Sequence, residues 1–433
     1  MIPIGLSFQQ APPISVPFRF FLTAPLFLLA AAALLFAQGP DLMASRHSAA
    51  ALAATHLLTL GFTSMIMCGA LLQLLPVLGG VPLAHPVRVA WLVHAPLVAG
   101  TICLAMAFMS GHALFFHLAL GFLSMAFGCF GLWLVGALRK IREGGASIQG
   151  MRAALAALTV TVAFGLILAA ARSGGLAIPY VPLSALHPLW GLGGWTTLLI
   201  LGLAYQLIPM FQLTAHYPVR MTSRLIPALF LLLTGKTLGA FVPGSAGQAL
   251  SIAASLGLVA GNLWFAAVTW QLLSRRRRKV PDTTLQFWRL GIGLLALSAC
   301  MALLPELMDD GLPESWLLML GVCVLPGFIL CVIQGMLYKI VPFLTWFHLQ
   351  SAYPGLGIVP NVRDIHARFH ADRQLALLAV AIATLAASSW FPQLARVAGL
   401  LWMIHAAWLE INVLQAAHIF RRVHRVARMR TAH

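Results

Sequence analysis

Twelve runs of apolar residues, each long enough for a helix to cross a bilayer, constrain this chain more than any other feature. They lie at 18–38, 50–78, 88–110, 112–138, 153–171, 182–212, 224–243, 247–273, 287–305, 314–345, 374–391 and 394–420. A hydrocarbon core needs about 20 apolar residues per helical span. It offers the backbone no hydrogen-bond partner, so such runs become helices. With 61% of residues hydrophobic and 9% charged, there is too little polar surface to cover a water-soluble domain. The expectation is an all-α, polytopic membrane protein of about twelve transmembrane helices, forming a single transmembrane domain over residues 1–433. The second, sixth and tenth runs exceed a span and are expected to tilt or project. The segment before the first run is long and weakly charged for a signal peptide, so that run reads as a retained helix.

A formal charge of +17 suggests nucleic acid, but its distribution says otherwise. With the N-terminus inside, 22 of the 27 Lys and Arg fall on the cytoplasmic side, including Arg139, Lys140, Arg142, the run from Arg275 to Lys279, and Arg421 to Arg430. Only Arg46, Arg172 and Arg396 fall outside, while Lys236 and Lys339 fall within spans. This is the positive-inside bias, and it predicts both termini on the cytoplasmic face of a bacterial inner membrane. The basic segments then meet anionic lipid headgroups. All six cysteines lie within predicted helices, so no disulfide framework is expected.

The chain also repeats itself. GALLQLLP at 69–76, GLAYQLIP at 202–209 and GMLYKIVP at 335–342 share a Gly, a Gln or Lys four residues on, and a Pro, at intervals of 133 residues. The interval corresponds to four helices. The expected architecture is therefore three four-helix repeats of the same orientation, approximately 18–142, 153–279 and 287–425, around a pseudo-threefold axis. On a helix the Gly, the Gln or Lys and the Pro share one face within about 40°. That face suits close packing at the centre of the bundle or a pore lined by Gln73, Gln206 and Lys339.

Twelve helices in three same-orientation units resemble the catalytic subunits of haem–copper oxidases. Helix 6, HPLWGLGGWTTLLILGLAYQLIP, is similar to the haem-binding helix of the cytochrome cbb class: His187, Gly191, Gly194, Trp195, Gly202, Tyr205 and Pro209 match, and Leu189 replaces a second His. HLLTLGFTSMIMCG at 56–69 resembles a segment of the NnrS family, haem-containing membrane proteins linked to nitric oxide stress. The resemblance implies a haem-containing scaffold. The chain departs from the oxidases where they hold copper and their second haem. Helix 7, RLIPALFLLLTGKTLGAFV, has no His, nor does the outer half of helix 10. A terminal oxidase of the ordinary kind is not expected.

His56 lies 13 residues before Gly69, and His187 lies 15 before Gly202. Their depths agree, while their azimuths at 100° per residue fall on opposite sides of their own helices. In a ring of repeats one unit then reaches forward and the next reaches back. The cbb-class low-spin haem is held by a similar pair, one step around the ring. The expectation is one haem b between helices 2 and 6, its iron ligated by His56 and His187. The corresponding positions of the other two clefts, Ala54, Leu189, Leu320 and Val322, cannot bind iron. Neutral imidazoles suit haem iron and apolar walls suit the porphyrin. Packing histidines are the plainer alternative.

Weaker signals remain open. His112 and His117, with His47 and the sulfurs of Met65, Met67 or Cys68, are candidate copper ligands, although Met and Cys also fill gaps. His405 and Glu410, five residues apart on helix 12, are candidates for a second metal or proton site. Lys236 and Lys339 either pair with a carboxylate, snorkel or line a proton path. An acidic outer loop, Glu306 to Glu314, suits a basic redox partner on the outer side or a solvated turn. The functional expectation is electron transfer or nitric oxide handling. A membrane transporter or channel, and a non-catalytic subunit of a respiratory complex or homo-oligomer, are the alternatives.

Overall fold

The computed structural model describes residues 8–82, 84–141, 144–174, 176–277, 280, 282–307, 312–354, 357–367 and 370–431. Arg142, Arg278, Lys279, Asp309 and Asp310 lie outside them. The helices fall where the apolar runs predict. They are α1 Ser15–Gln38, α2 Ala49–Gly79, α3 Pro86–Ser110, α4 Ala113–Lys140, α5 Ala146–Arg172, α6 Tyr180–Gln212, α7 Val219–Phe241, α8 Gly244–Ser274, α9 Thr283–Met301, α10 Glu314–Ala352, α11 Ala371–Ala387 and α12 Ala395–Thr431. Eleven are long and apolar enough to cross a membrane, and α11, with 17 residues, completes the order. Among the described residues there is no strand.

Each helix packs on its chain neighbour in the pairs α1–α2, α3–α4, α5–α6, α7–α8, α9–α10 and α11–α12. The units are joined through α4–α5 and α8–α9, and α12 closes on α1. The result is a ring of three units, with α2, α6 and α10 innermost. Their length is used in a particular way. Each contains a stretch of π-helix, 57–64 in α2, 189–196 in α6 and 323–329 in α10. A π turn widens the helix and is frequent at functional sites. In α6 the freed carbonyls are capped by threonines five residues on: Thr196 Oγ1 donates to Gly191 O (2.9 Å) and Thr197 Oγ1 to Leu192 O (2.6 Å).

Two glycines press each inner helix onto the first helix of its own unit. Within the π stretches, a Cβ at Gly61 would strike Phe27 of α1, one at Gly194 would come within 2.9 Å of Ala157 of α5, and one at Gly327 within 2.9 Å of Leu294 of α9. Two turns on, Gly69 faces Phe20, Gly202 faces Gly150, and Gly335 faces Phe287. The repeated motif therefore turns toward the neighbouring helix rather than the axis. The axis is apolar. Three equivalent sets, Ile66/Leu199/Val332, Met67/Ile200/Ile333 and Leu74/Leu207/Ile340, line a cavity of about 70 Å³ there.

Candidate functional site

The first residues of α2 and α6 bring His56 and His187 together. Both sit at the entrance to a π stretch, His56 immediately before it and His187 two residues before. Because a π turn holds more residues than an α turn, azimuths reckoned at 100° per residue are off in absolute terms. Both helices carry a π stretch of eight residues between the His and the Gly, so the two errors are alike and the rings still meet. Their centroids lie 6.1 Å apart with planes 12° from parallel. Each ring is fixed through Nδ1: His56 Nδ1 to Leu52 O at 2.7 Å, and His187 Nδ1 to Thr161 O at 3.1 Å. A carbonyl only accepts, so Nδ1 carries the proton in both rings and Nε2 keeps its lone pair. Among the described residues neither Nε2 has a hydrogen-bond partner.

The walls of this cleft complete it. The Phe108 ring of α3 lies 5.0 Å from His56. Gly165 of α5 makes room for His187, since a Cβ there would come within 2.9 Å of the ring's Cε1. At the C-terminal end of α5, the Arg172 guanidinium sits 5.7 Å over the Phe108 ring and its Nε donates to the Tyr180 hydroxyl at 3.0 Å. Spacing arguments lead to the two histidines. Gly165 and Phe108 carry no mark in the sequence, because their role depends on which helices become neighbours; Arg172 stands out there only as one of three arginines expected on the outer side.

The other candidates fall elsewhere. His112 is exposed just before α4 and His117 is exposed on α4, whereas Met65, Met67 and Cys68 are buried in α2, with Met67 on the axial cavity. His47 lies in the loop before α2 with its Nε2 accepting from Arg46 Nε (3.0 Å); partial burial and the Arg46 charge push its pKa below the ordinary histidine value. Among the described residues no three His, Cys, Asp or Glu side chains gather as a metal group. Gln73 is buried in α2 and Gln206 is half-buried in α6. Lys236 is half-buried in α7. Lys339 donates to Asp282 Oδ2 at 2.7 Å, just before α9. Burial alone would raise the Asp282 carboxyl, but the Lys339 ammonium and the Thr284 N–H together hold it below the usual carboxylate range.

His405 belongs to a buried polar ring that the sequence reading largely missed. Its Nε2 meets Gln334 Oε1 (2.9 Å), Gln334 Nε2 donates to the Tyr338 hydroxyl (3.2 Å), Tyr338 donates to Gln374 Oε1, and Gln374 Nε2 returns to His405 O (3.0 Å). Asn412 Nδ2 donates to both Tyr338 (3.1 Å) and Gln374 (2.9 Å). The ring ties α10, α11 and α12 together. Glu410 is half-buried on α12, with its Oε2 enclosed and without a hydrogen-bond partner among the described residues.

No protein-family profile matches the chain, and no curated protein is similar to it in sequence. Among solved structures, a haem–copper terminal oxidase studied as a dimer superposes with a TM-score of 0.65, covering 94% of this chain and 84% of its own at 12% identity. The chain has the haem–copper oxidase fold. At that identity the likeness concerns the fold. The oxidase-like scaffold carries the His56–His187 cleft between its first and second units.

Proposed function

We propose that this chain binds one haem b between α2 and α6, with His56 and His187 as the iron ligands, and serves in electron transfer across or along a bacterial inner membrane. The observation that carries the proposal is the pair of near-parallel imidazoles 6.1 Å apart. A metal–imidazole bond of about 2 Å on each side, plus roughly 1.1 Å from each nitrogen to its ring centre, gives about 6 Å between ring centres around a single metal. Both Nδ1 atoms are anchored to backbone carbonyls, the arrangement that fixes a ligating imidazole's tautomer and orientation. A haem held there supplies a one-electron redox centre whose potential the surrounding residues tune.

Were both histidines to hold a haem iron, they would leave it no open position. That favours electron transfer over nitric oxide handling, which requires one histidine to leave or a second metal, such as copper, nearby. The outer placement of the pair fits a redox partner on the outer side. The transporter or channel reading draws little support, because the axial cavity is lined by apolar side chains and Gln73, Gln206 and Lys339 are not among them.

A reduced-minus-oxidised spectrum of the purified protein, with a pyridine haemochrome assay, tests the proposal. Low-spin haem b bands at about one haem per chain, lost in both His56→Ala and His187→Ala, are expected. Protein made with ample haem yet lacking it, or either variant with an unchanged spectrum, sinks the assignment.

A further inference from the structure

Arginine on the outer side works against the positive-inside bias that orients the chain, so each outer arginine calls for a local reason. Two have one. Arg46 approaches the Glu314 carboxylate, which also accepts its backbone N–H at 2.5 Å. Arg396 lies along Gly39, where a Cβ would come within 2.9 Å of its Nε. Arg172 has no carboxylate partner among the described residues. It is held over two aromatic rings, Phe108 at 5.7 Å and Tyr180 at 5.8 Å, with only its Nε committed, to the Tyr180 hydroxyl. Its two terminal nitrogens make no hydrogen bond among the described residues. Phe108, which bears this cation, is the ring beside His56.

We infer that Arg172 is an anion anchor for the carboxylate-bearing edge of a porphyrin in the His56–His187 cleft. The inference rests on the haem assignment above. The body of a haem is apolar and its two propionates are charged, so the propionates face water and the rest faces the helices. The histidines lie near the outer ends of α2 and α6, and Arg172 closes α5 on that same side. A guanidinium fork suits a carboxylate better than an ammonium does. Its fixed seat on Phe108 and Tyr180 lowers the entropy lost when it binds. Arg172 is exposed, so solvent screens the pair and the gain is modest.

The test compares haem b with its dimethyl ester, which keeps the iron and the ring but removes both charges. Protein prepared from haem-starved cells is titrated with each, in the parent and in Arg172→Gln and Arg172→Lys, following the low-spin spectrum as the sign that both histidines are engaged. The parent is expected to bind the diacid about 10-fold more tightly than the ester. Arg172→Gln is expected to bind both with the parent's ester affinity, and Arg172→Lys to fall between. If Arg172→Gln still discriminates as the parent does, or the parent does not discriminate, the Arg172 assignment is overturned while the histidine pair stands. If neither porphyrin gives a low-spin spectrum with the parent, the histidine pair falls and the Arg172 assignment falls with it.

Discussion

Gly165 is the residue on which the orientation of His187 turns. It lies on α5, faces the imidazole, and leaves no space for a methyl group, which would come within 2.9 Å of Cε1. Gly165→Ala is therefore expected to rotate or displace the ring and weaken the Nδ1 bond to Thr161 O. The expected result is a folded protein with reduced haem content or a mixed-spin spectrum; a spectrum identical to the parent's would show that the ring has other room. Asp282, just before α9, and Lys339 make a second residue-scale test. A carboxyl held below its ordinary value of about 3.9 stabilises the fold above that pH and loses its contribution as pH falls through the lower, folded value. The melting temperature of Asp282→Asn in detergent is thus expected to lie below the parent's at neutral pH, and the gap to close only below about pH 4. A gap that narrows already between neutral pH and mildly acidic pH would assign it to another group. Of these residues, only Lys339 and the two histidines are legible in the sequence. A His or Lys inside an apolar run stands out because its burial is costly, whereas Gly165 and Asp282 acquire meaning only from the helix packed against them.

At the scale of helices, the twelve apolar runs fixed the elements, and the equal spacing of Gly69, Gly202 and Gly335 revealed that they come in threes. A second glycine series, Gly61, Gly194 and Gly327, repeats at the same interval but is unmarked in the sequence, because without the π stretches nothing sets it apart from other membrane-helix glycines. The π stretches themselves are illegible, since they use the same apolar residues as the α-helix around them. The glycine contacts are equally tight. A Cβ at Gly202 meets the backbone of Gly150 at 2.7 Å, and one at Gly69 or Gly335 meets a Phe Cβ, itself fixed by its helix backbone, at the same distance. Each of Gly69→Ala, Gly202→Ala and Gly335→Ala is therefore expected to lower thermal stability in detergent, by about 1–3 kcal/mol; unchanged stability in any of them would mean that the facing helix yields. The ring of Gln334, Tyr338, Gln374, His405 and Asn412 was also hidden, as single amides scattered through separate helices look like packing until three helices converge. Tyr338→Phe removes the hydroxyl that serves two donors and one acceptor. It is expected to cost about 1–3 kcal/mol, because buried polar groups then lose their partners. Retained stability would indicate that the amides re-pair among themselves.

For the whole molecule, closure of the ring and orientation in the membrane are coupled. α1 packs on α12, so the first and last helices must sit side by side, and if α11 crosses as a twelfth span beside the eleven longer helices, the two ends of the chain must lie on one face of the membrane. The charge distribution selects which face. The basic C-terminal ends of α4 and α12, the arginines after α8 and the start of α1 all fall on the same side, and holding them inside satisfies the positive-inside bias. The opposite side keeps Arg46, Arg172 and Arg396 and the His56–His187 cleft. Reporter fusions read this directly. A fluorescent protein that matures only in the cytoplasm is expected to shine when joined after Lys140, after Ser274 or at the C-terminus, and to stay dark after Ser110 or Arg172. A secreted phosphatase at the same five positions is expected to give the opposite pattern. Should the two patterns exchange, the cleft would open to the cytoplasm and its redox partner would have to be sought there. Should they mix, as with phosphatase activity after both Ser110 and Lys140, α4 would not cross the membrane and the ring of three four-helix units would not describe the protein in its bilayer.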